Sequence, residues 1–392
     1  MQSIALLQAP PGIALPGIPA YYAPMSTIAS EARADAPALR VVVSLDVEEE
    51  GLFSGRYAAS DCGVRNVALL PRLAPLSREL GFPLTLFCAH TVFASAEARP
   101  VLAWMRDHCG AEIGAHLHHW STPPLVENRA GTGTAAHKAD GPPTRTDRLP
   151  RDLLRRRLRT LLDAGRDFQS APLTSFRMGR WDLKAVVRPL LAEAGISVDS
   201  SVCPLRAFRD GPDHFLAPAD PYWAEDLSGR RLLEAPITQI PLSPALARLW
   251  YGLARRKAGL LDSFHFWGAL SPNPVWHSPR VMRLASRLHA RRGGKVLSLF
   301  WHSSEMLPGG APHLPDAASV ERLMTKIEIY LDWLHAHWEV RCLTMDGLRR
   351  ELGSSAACPR SDVACDWTTG AEQEKESGQG GTTWGSDRGE PA

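Results

Sequence analysis

Several acids follow the most apolar short stretch of the sequence. Residues 41–45 (VVVSL) are rich in β-branched side chains and lack Gly and Pro, which predicts a buried strand. Because side chains at i and i+2 of a strand share a face, we expect Asp46 and Glu48 side by side at its carboxyl end. Parallel α/β folds build their active sites at that end. Glu49 and Glu50 are expected to open a solvated loop.

Three histidines lie within four residues, at His116, His118 and His119. In an extended segment His116 and His118 share a face, whereas His119 points away. A helix is disfavoured here because Pro123 and Pro124 follow so closely. Two imidazoles and one carboxylate form a donor set suited to a divalent metal, most naturally zinc, with room for a water.

Two further polar clusters follow predicted strands. Arg177 comes at the end of a short strand at 173–177, so its guanidinium could pair with a strand-end carboxylate and hold it ionised. His302 ends a buried strand predicted at 295–301 and is placed to donate a proton. Glu305 is expected either to orient His302 or to face the substrate.

These positions depend on an alternation of strands and helices. Further strands are predicted at 82–89, 196–201 and 340–344, and helices at 66–80, 96–109, 151–168, 182–194 and 317–339. The alternation predicts an α/β fold, with a parallel sheet or barrel wrapped by helices. Residues 1–39 are expected to form a loose extension, 40–353 a single catalytic domain, and 354–392 a disordered tail.

Composition narrows the class of protein. The 392 residues are 44% hydrophobic with a formal net charge of +2, and the basic residues form no run long enough to follow a nucleic-acid backbone. The seven cysteines are scattered without a CxxC pair, which favours free thiols over a disulfide framework. No apolar run reaches the roughly 18–20 residues of a membrane span. The first residues contain several prolines and no basic region, so the sequence predicts a cytoplasmic protein.

Five segments in this order resemble one known family. They are SLDVE, EIGAHLHHW, SFRMGRW, GISVDSSV and LSLFWHSSEMLP. With them the chain, over about residues 40 to 345, resembles the polysaccharide deacetylases of the NodB-homology group, carbohydrate esterase family four. The resemblance implies a single-domain distorted (β/α) barrel of seven or eight strands. It also implies metal-dependent removal of acetyl groups from N-acetylated sugars, with a carbohydrate substrate and no nucleic acid.

The resemblance also implies a set of metal ligands, with two departures from the family pattern. The acid that usually follows the first Asp directly is displaced to Glu48, giving the acid–x–acid form of a divergent subgroup. His116 matches the first metal-binding histidine. The usual place of the second is Trp120, so His118 is the substitute and His119 the reserve.

Catalytic roles follow from the same resemblance. Asp46 matches the general base, Arg177 the arginine that braces it, and His302 the general acid. Asp199 lies near the place of an acid that tunes His302. Three tryptophans are candidates for stacking on a sugar ring or for core packing: Trp181, Trp267 and Trp276.

The sequence leaves two other functions open. Acid–x–acid members of the wider family hydrolyse cyclic amides such as allantoin, so the chain could cleave another carbon–nitrogen bond. A barrel that has lost its metal could instead bind carbohydrate without catalysis. The joint presence of Asp46, Arg177 and His302 favours an enzyme, because a pure binding protein does not need these three residues together.

Overall fold

The first predicted strand lies at the centre of the fold. The structure is a computed structural model, which describes residues 38–60, 62–125, 145–209, 211–225 and 230–354. Strand β1 (Leu39–Val47) is buried at every residue except the partly exposed Arg40. Burial on both faces is expected of a parallel strand whose sheet is covered by helices.

Ten more strands follow β1 in the described residues. They are β2 (Leu84–Ala89), β3 (Glu112–Leu117), β4 (Ser175–Met178), β5 (Val198–Asp199), β6 (Tyr222–Glu225), β7 (Arg231–Glu234), β8 (Ile240–Pro241), β9 (Ala269–Leu270), β10 (Val296–His302) and β11 (Val340–Leu343). Seven parallel strands pair in the order β10-β1-β2-β3-β4-β5-β7, and β6 joins the edge of β7 in antiparallel orientation. An eighth parallel strand, β11, pairs with the first half of β1, and β2 pairs with its second half.

The sheet curls until its two ends approach each other. Thr238, just after β7, donates its backbone N–H to the Ser298 carbonyl of β10 at 3.0 Å. The Ser298 N–H donates to Thr238 Oγ1 at 2.8 Å, and that hydroxyl donates to the Val296 carbonyl at 3.2 Å. These hydrogen bonds join the segment after β7 to β10, at the other end of the sheet. The predicted distorted (β/α) barrel of seven or eight strands is therefore confirmed.

Helices cover the outside of the barrel. They are α1 (Ala74–Arg78), α2 (His90–Ala94), α3 (Ala98–Cys109), α4 (Arg151–Gln169), α5 (Val187–Glu193), α6 (Pro244–Ala254), α7 (Ala258–Asp262), α8 (Phe264–Trp267), α9 (Pro279–Arg291), α10 (Ala317–His335) and α11 (Met345–Ser354). Short 3-10 helices occupy Leu52–Ser54, Arg65–Leu73, Thr146–Arg148, Gly179–Trp181 and Ser303–Met306. The main core joins strand residues such as Leu45 and Trp301 to Met105 of α3 and Leu331 of α10.

Helices α6, α7 and α8 form an insert between β8 and β9. The two short strands pair antiparallel and close the base of this insert. Its inner face packs against the segment after β5 to form a separate small core, the insert core, which includes Phe215, Leu261 and Phe264. An ion pair between Arg206 and Asp262, at 2.7 Å, ties α7 to the segment after β5. The insert is therefore an ordered, packed part of the fold that is attached to one side of the barrel.

Several predicted elements are found close to their expected bounds. The helix predicted at 151–168 is α4, and the one predicted at 317–339 is α10, which ends at His335. The segment predicted as a helix at 66–80 is a 3-10 helix that becomes α1 just after Pro71, a residue without a backbone N–H. Of the predicted extension and tail, the structure describes only Ala38, Leu39, which begins β1, and Ser354, which ends α11. Within the described part of the chain, no helix is both long and apolar enough to cross a membrane.

Candidate active site

Parallel strand register brings the predicted residues to one edge of the barrel. Asp46 and His302 are register partners on β1 and β10, and His116 and Arg177 are partners on β3 and β4. A cleft of about 150 Å³ opens at this edge. Its lining includes Asp46, Glu48, Leu52, Phe53, Tyr57, His116, His118, Trp120, Met178, Arg180, Trp181 and His302.

Three of the lining residues form a compact donor group. The ligand atoms of Glu48, His116 and His118 all lie within 4.8 Å of one another. Glu48 Oε2 is 3.4 Å from His116 Nε2 and 3.2 Å from His118 Nε2. All three residues are buried. The alternation of side chains along an extended segment favours His118 over His119, and in the structure His118 is the residue that joins His116 and Glu48.

Hydrogen bonds decide which nitrogen of each ring faces Glu48. His116 Nδ1 donates to the Arg177 carbonyl oxygen at 2.9 Å, and His118 Nδ1 donates to Glu49 Oε1 at 3.0 Å. Both Nε2 atoms therefore point at Glu48, which is the orientation that metal-binding histidines adopt when their other nitrogen is held. Two imidazole nitrogens and one carboxylate oxygen, buried beside an open cleft, fit a divalent cation.

Glu49 is the main functional residue that the sequence reasoning missed. The prediction of a solvated loop is wrong here, because Glu49 is only 1% exposed. Its Oε1 also accepts from Trp120 Nε1 at 3.1 Å and Ser121 Oγ at 3.0 Å, and its Oε2 accepts from Thr91 Oγ1 at 3.0 Å. Burial opposes ionisation, but the adjacent His118 outweighs it and lowers the pKa of Glu49. The hydrogen-bond donors Trp120 and Ser121, which directly follow the three histidines, are the only feature of the sequence that could have indicated a buried carboxylate partner.

Asp46 is held by a buried arginine. Arg177 Nη1 donates to Asp46 Oδ1 at 2.6 Å, and both side chains are almost completely inaccessible. The Nη2 atom donates to the hydroxyls of Ser44 and Ser200, each at 2.9 Å, and Nε donates to the Ser200 carbonyl at 3.0 Å. The guanidinium also lies 4.4 Å from the ring centre of Phe87. These contacts fix Asp46 through a charge-assisted hydrogen bond and leave Oδ2 toward the cleft.

His302 faces Asp46 from the next strand. Its Nε2 is 3.7 Å from Asp46 Oδ2, and its Nδ1 donates to Glu305 Oε2 at 3.0 Å. Glu305 also accepts from the His302 backbone N–H at 2.8 Å and from His313 Nε2 at 3.0 Å. Burial disfavours the charged imidazole, but Glu48, Glu305 and Asp46 outweigh it and raise the pKa of His302 to about 9. The His302 imidazole is therefore charged at neutral pH, and the hydrogen bond to Glu305 fixes the orientation of its ring.

Two of the other predicted residues lie away from the donor atoms. His119 is buried, with its ring edge-to-face against Trp120 at 5.3 Å, and it is not part of the donor group. Asp199 lies at the end of β5, where Ser201 donates to it and Glu234 is its register partner on β7. Burial, together with the Glu234 charge, raises the pKa of Asp199 well above its usual range. The contact with His302 implied by the family resemblance is made by Glu305 instead.

The three candidate tryptophans have different positions. Trp181 lines the cleft and meets Phe300 edge-to-face at 4.9 Å. Trp276 packs against the other side of Phe300 at 5.4 Å and is not among the lining residues. Trp267 lies in the insert, where it contacts Phe264 and is 48% exposed. Lining aromatic residues that the sequence reasoning did not single out for substrate contact are Phe53, Tyr57 and Trp120.

A tight turn presents Trp181 and Arg180 to the cleft. Arg180 and Trp181 both have left-handed backbone conformations, with φ of 57° and 56°. A Cβ atom on the preceding Gly179 would lie 2.5 Å from His118 Cδ2, so glycine allows the backbone to approach this ring. Left-handed non-glycine residues are uncommon and cluster at functional sites. The turn thus connects the donor group to the wall of the cleft.

Comparisons with known proteins agree on the fold. No family model matches the chain, and no curated protein matches it. A solved structure of a candidate glycoside hydrolase/deacetylase from Parabacteroides distasonis is similar at a TM-score of 0.51 and 11% identity, over 81% of this chain and 72% of that one. The chain therefore shares the fold of that protein and is a distorted (β/α) barrel of the NodB type.

Two further structures lie at lower similarity. A candidate polysaccharide deacetylase from Mycobacterium smegmatis matches at a TM-score of 0.49 and 17% identity, over 83% of this chain and 93% of that one. A 4-alpha-glucanotransferase from Thermococcus litoralis matches at a TM-score of 0.45 and 10% identity, over 82% of this chain and 40% of that one. At these identities the likeness concerns the fold, so the function has to be argued from the site.

Proposed function

We propose that the chain is a metal-dependent deacetylase that hydrolyses the N-acetyl group of a sugar or polysaccharide precursor. One observation carries the proposal. A single cleft contains a metal-type donor group, a carboxylate braced by a buried arginine, and a histidine 3.7 Å from that carboxylate. Amide hydrolysis needs polarisation of the carbonyl, a base for the water and an acid for the leaving nitrogen. With the acid–x–acid form of Asp46 and Glu48, the proposed enzyme would belong to a divergent subgroup of deacetylases.

Glu48, His116 and His118 would hold the cation, and zinc is the metal we propose. Imidazole nitrogens with one carboxylate oxygen are the ligands of several catalytic zinc centres. When bound, a divalent cation polarises the acyl carbonyl and lowers the pKa of water. Glu49 and the Arg177 carbonyl keep the two rings in the binding orientation.

Asp46 is the proposed general base. Its Oδ1 is occupied by Arg177, which leaves Oδ2 to take a proton from the attacking water. The water oxygen then forms a bond to the acetyl carbon, and the carbonyl becomes tetrahedral. Because Arg177 is hydrogen-bonded on Nε, Nη1 and Nη2, Asp46 is held in place when its charge changes.

His302 is the proposed general acid. Its Nδ1 is held by Glu305, so the proton on Nε2 faces the cleft beside Asp46. When the carbon–nitrogen bond breaks, Nε2 transfers this proton to the departing nitrogen. The products are acetate and a free amino sugar. His302 regains a proton when the one held by Asp46 is returned through solvent, which completes the cycle.

The substrate would be bound by the aromatic wall of the cleft. Trp181, Tyr57 and Phe53 offer ring faces and edges for a sugar, as aromatic residues do in many ligand sites. We propose a cytoplasmic glycan precursor. The free thiols of Cys88, Cys109, Cys203 and Cys342 support a reducing compartment.

A small cyclic amide is the second candidate substrate. The cleft, at about 150 Å³, is small beside the roughly 300–1,000 Å³ of most ligand pockets. It would admit an acetamido group with the rest of a sugar outside, or a whole small heterocycle. The same base, acid and donor group would serve both reactions.

Elemental analysis of the purified protein, combined with turnover assays, tests the proposal. We expect about one zinc-like ion per chain, acetate release from N-acetylglucosamine oligomers, and loss of both in His116→Ala, since one of three protein ligands is removed. His119→Ala is the matched control, because its ring lies outside the donor group, and it should keep the metal.

Three results would redirect the assignment. Turnover of allantoin without acetate release from sugars would favour the cyclic-amide reaction. An absence of bound metal after added zinc or cobalt would contradict both hydrolases and leave a carbohydrate-binding barrel. Loss of metal in His119→Ala but not in His118→Ala would exchange the roles of the two histidines.

A further inference from the structure

The insert carries an apolar surface that faces solvent. Within the described residues, seven of the eleven large hydrophobic side chains that are exposed lie between 242 and 268. They include Leu249 at 60%, Leu253 at 73% and Phe266 at 83% exposure. Exposed apolar groups scattered singly are normal, whereas a concentration in one short segment marks an interaction site. We call the exposed face of residues 242–268 the insert surface.

The insert surface is distinct from the core of the insert. On α6, Leu246, Leu249 and Leu253 recur at spacings of three and four, which places them on one face of the helix. The small residues Ala247 and Ala254 on another face are buried in the insert core. The helix therefore buries one apolar face inside the protein and presents a second one outward.

Basic residues surround the insert surface. Arg248, Arg255, Arg256 and Lys257 are all exposed, while Asp262 is the only acid between 242 and 268. Asp262 is already paired with Arg206 at 2.7 Å. Leu, Phe and Trp side chains bordered by Arg and Lys are the composition of helices that lie in the interface of a bilayer. Anionic lipids attract such basic groups, and Trp favours the headgroup level.

We propose that the insert surface is a peripheral membrane-binding site for an anionic lipid bilayer. The apolar side chains of α6 and α8 enter the headgroup region, and the basic residues contact lipid phosphates. The helices remain parallel to the membrane plane. This proposal rests on surface composition and is independent of the proposed hydrolase activity.

The insert also has a direct structural link to the cleft. His265 of α8 meets Trp276 at 4.9 Å, Trp276 meets Phe300 at 5.4 Å, and Phe300 meets His302 at 5.4 Å between ring centres. A membrane bound to the insert surface would therefore lie on the His302 side of the cleft. Substrates carried at the bilayer surface would be presented to that side.

Vesicle sedimentation of the full chain tests the proposal. We expect the protein to bind vesicles of phosphatidylcholine with phosphatidylglycerol more tightly than vesicles of phosphatidylcholine alone. Leu249→Glu combined with Leu253→Glu should weaken partitioning by about tenfold or more, because apolar contact is lost and charge repulsion is added. Substitution of Arg255 and Arg256 by Gln should lower the affinity for anionic vesicles by about fivefold for each charge removed.

Matched controls make the outcome decisive. Leu284 and Ile329 are 43% and 50% exposed on α9 and α10, and their Glu variants should bind like the parent. Phe266→Ser, at a side chain that is 83% exposed, should also weaken vesicle binding without unfolding the protein, and melting curves will check that each variant is folded. The proposal is overturned by an absence of binding to anionic vesicles, or by equal loss in the controls. It is also overturned if light scattering shows a dimer that the Leu249→Glu, Leu253→Glu variant separates, since the surface would then bind a second copy.

Discussion

Two groups of buried acids occupy the carboxyl ends of strands in this barrel. Asp46 ends the ladder of β1, with Glu48 just beyond it, and both border the cleft. Asp199 and Glu234 are register partners at the ends of β5 and β7, and neither is among the lining residues. Both groups are almost completely inaccessible to solvent. Position at a strand end and burial are therefore shared, and other features must separate them.

The surroundings of the two groups differ in charge and in access. Asp46 meets Arg177, and Glu48 meets two imidazoles, so each carboxylate has an opposing partner next to an open cavity. Asp199 and Glu234 lie beside each other, and Arg188 contacts Glu234 at 2.8 Å. The first arrangement stabilises charge and exposes it to a ligand, whereas the second raises the pKa of Asp199 and encloses it. The first group therefore combines opposing partners with access to the cleft, whereas the second group does not border the cleft.

The largest expected effect comes from one isosteric change made in each group. Asp46→Asn should lower kcat by about 10²–10⁴-fold with metal still bound, because the proton acceptor is lost. Asp199→Asn should keep near-parental kcat, since Asn resembles the protonated acid that this environment favours. Initial rates and metal content measured on both variants check the comparison. It fails if the two variants lose activity equally, or if Asp46→Asn keeps its rate.

A substitution at Glu49 tests how much the residues that orient the metal-type donor group contribute to metal affinity. Glu49→Gln should weaken metal affinity by about 10–100-fold, because the hydrogen-bonded carboxylate that orients His118 is lost. Glu50→Gln is the control, since Glu50 pairs with the exposed Arg65 at 2.7 Å and not with the histidines. Metal titration in competition with a chelator gives both affinities. Equal affinities in the two variants would limit Glu49 to a packing role.

Glu305 should set the alkaline limit of activity. The general acid must be protonated, so the rate falls as pH rises through the pKa of His302. Glu305 helps to raise that pKa, and Glu305→Gln should move the alkaline limb of the pH–rate profile to lower pH by about one unit. His313→Gln leaves the carboxylate in place and should shift the limb less. An unmoved limb in Glu305→Gln would remove His302 from the proton-transfer step.

The smallest expected effect concerns stability and not turnover. The pKa of Asp199 is raised in the folded state, so its contribution to folding is present at low pH and is lost as pH rises through the folded value. Asp199→Asn should therefore gain stability relative to the parent as pH rises. Melting temperatures measured across pH check this sign. A variant that loses stability more steeply than the parent at high pH would show that Asp199 is charged in the fold.

Local sequence rules were sufficient for β1 to β5, β10 and β11 and for the side chains that share one strand face, whereas β6 to β9 were not predicted. The β-branched run of β1 and the alternation of His116 and His118 follow from local rules, and both agree with the structure. The burial of Glu49 could not be predicted in this way. Its partners Thr91, Trp120 and Ser121 follow β2 and β3, and only the pairing of these strands with β1 brings them to one carboxylate.

The tryptophans show the same limit. In the sequence, nothing next to Trp181 or Trp267 indicates which of the two lines a cleft. The left-handed turn at Gly179–Trp181 directs Trp181 to the cleft, while Trp267 belongs to an insert whose helices the strand–helix alternation did not reveal. Long-range placement, and not residue type, separates a lining residue from a surface one.

The register of β1 also has a consequence for synthesis on the ribosome. Glu48, His116 and His118 are all translated before Arg177, and His302 follows only after most of the described chain. Strand β10 covers one side of β1, and β11 covers the first half of the other side, so these edges of β1 stay unpaired in the nascent chain until the late segments emerge. We expect the emerging protein to be able to capture its cation long before it can hydrolyse a substrate.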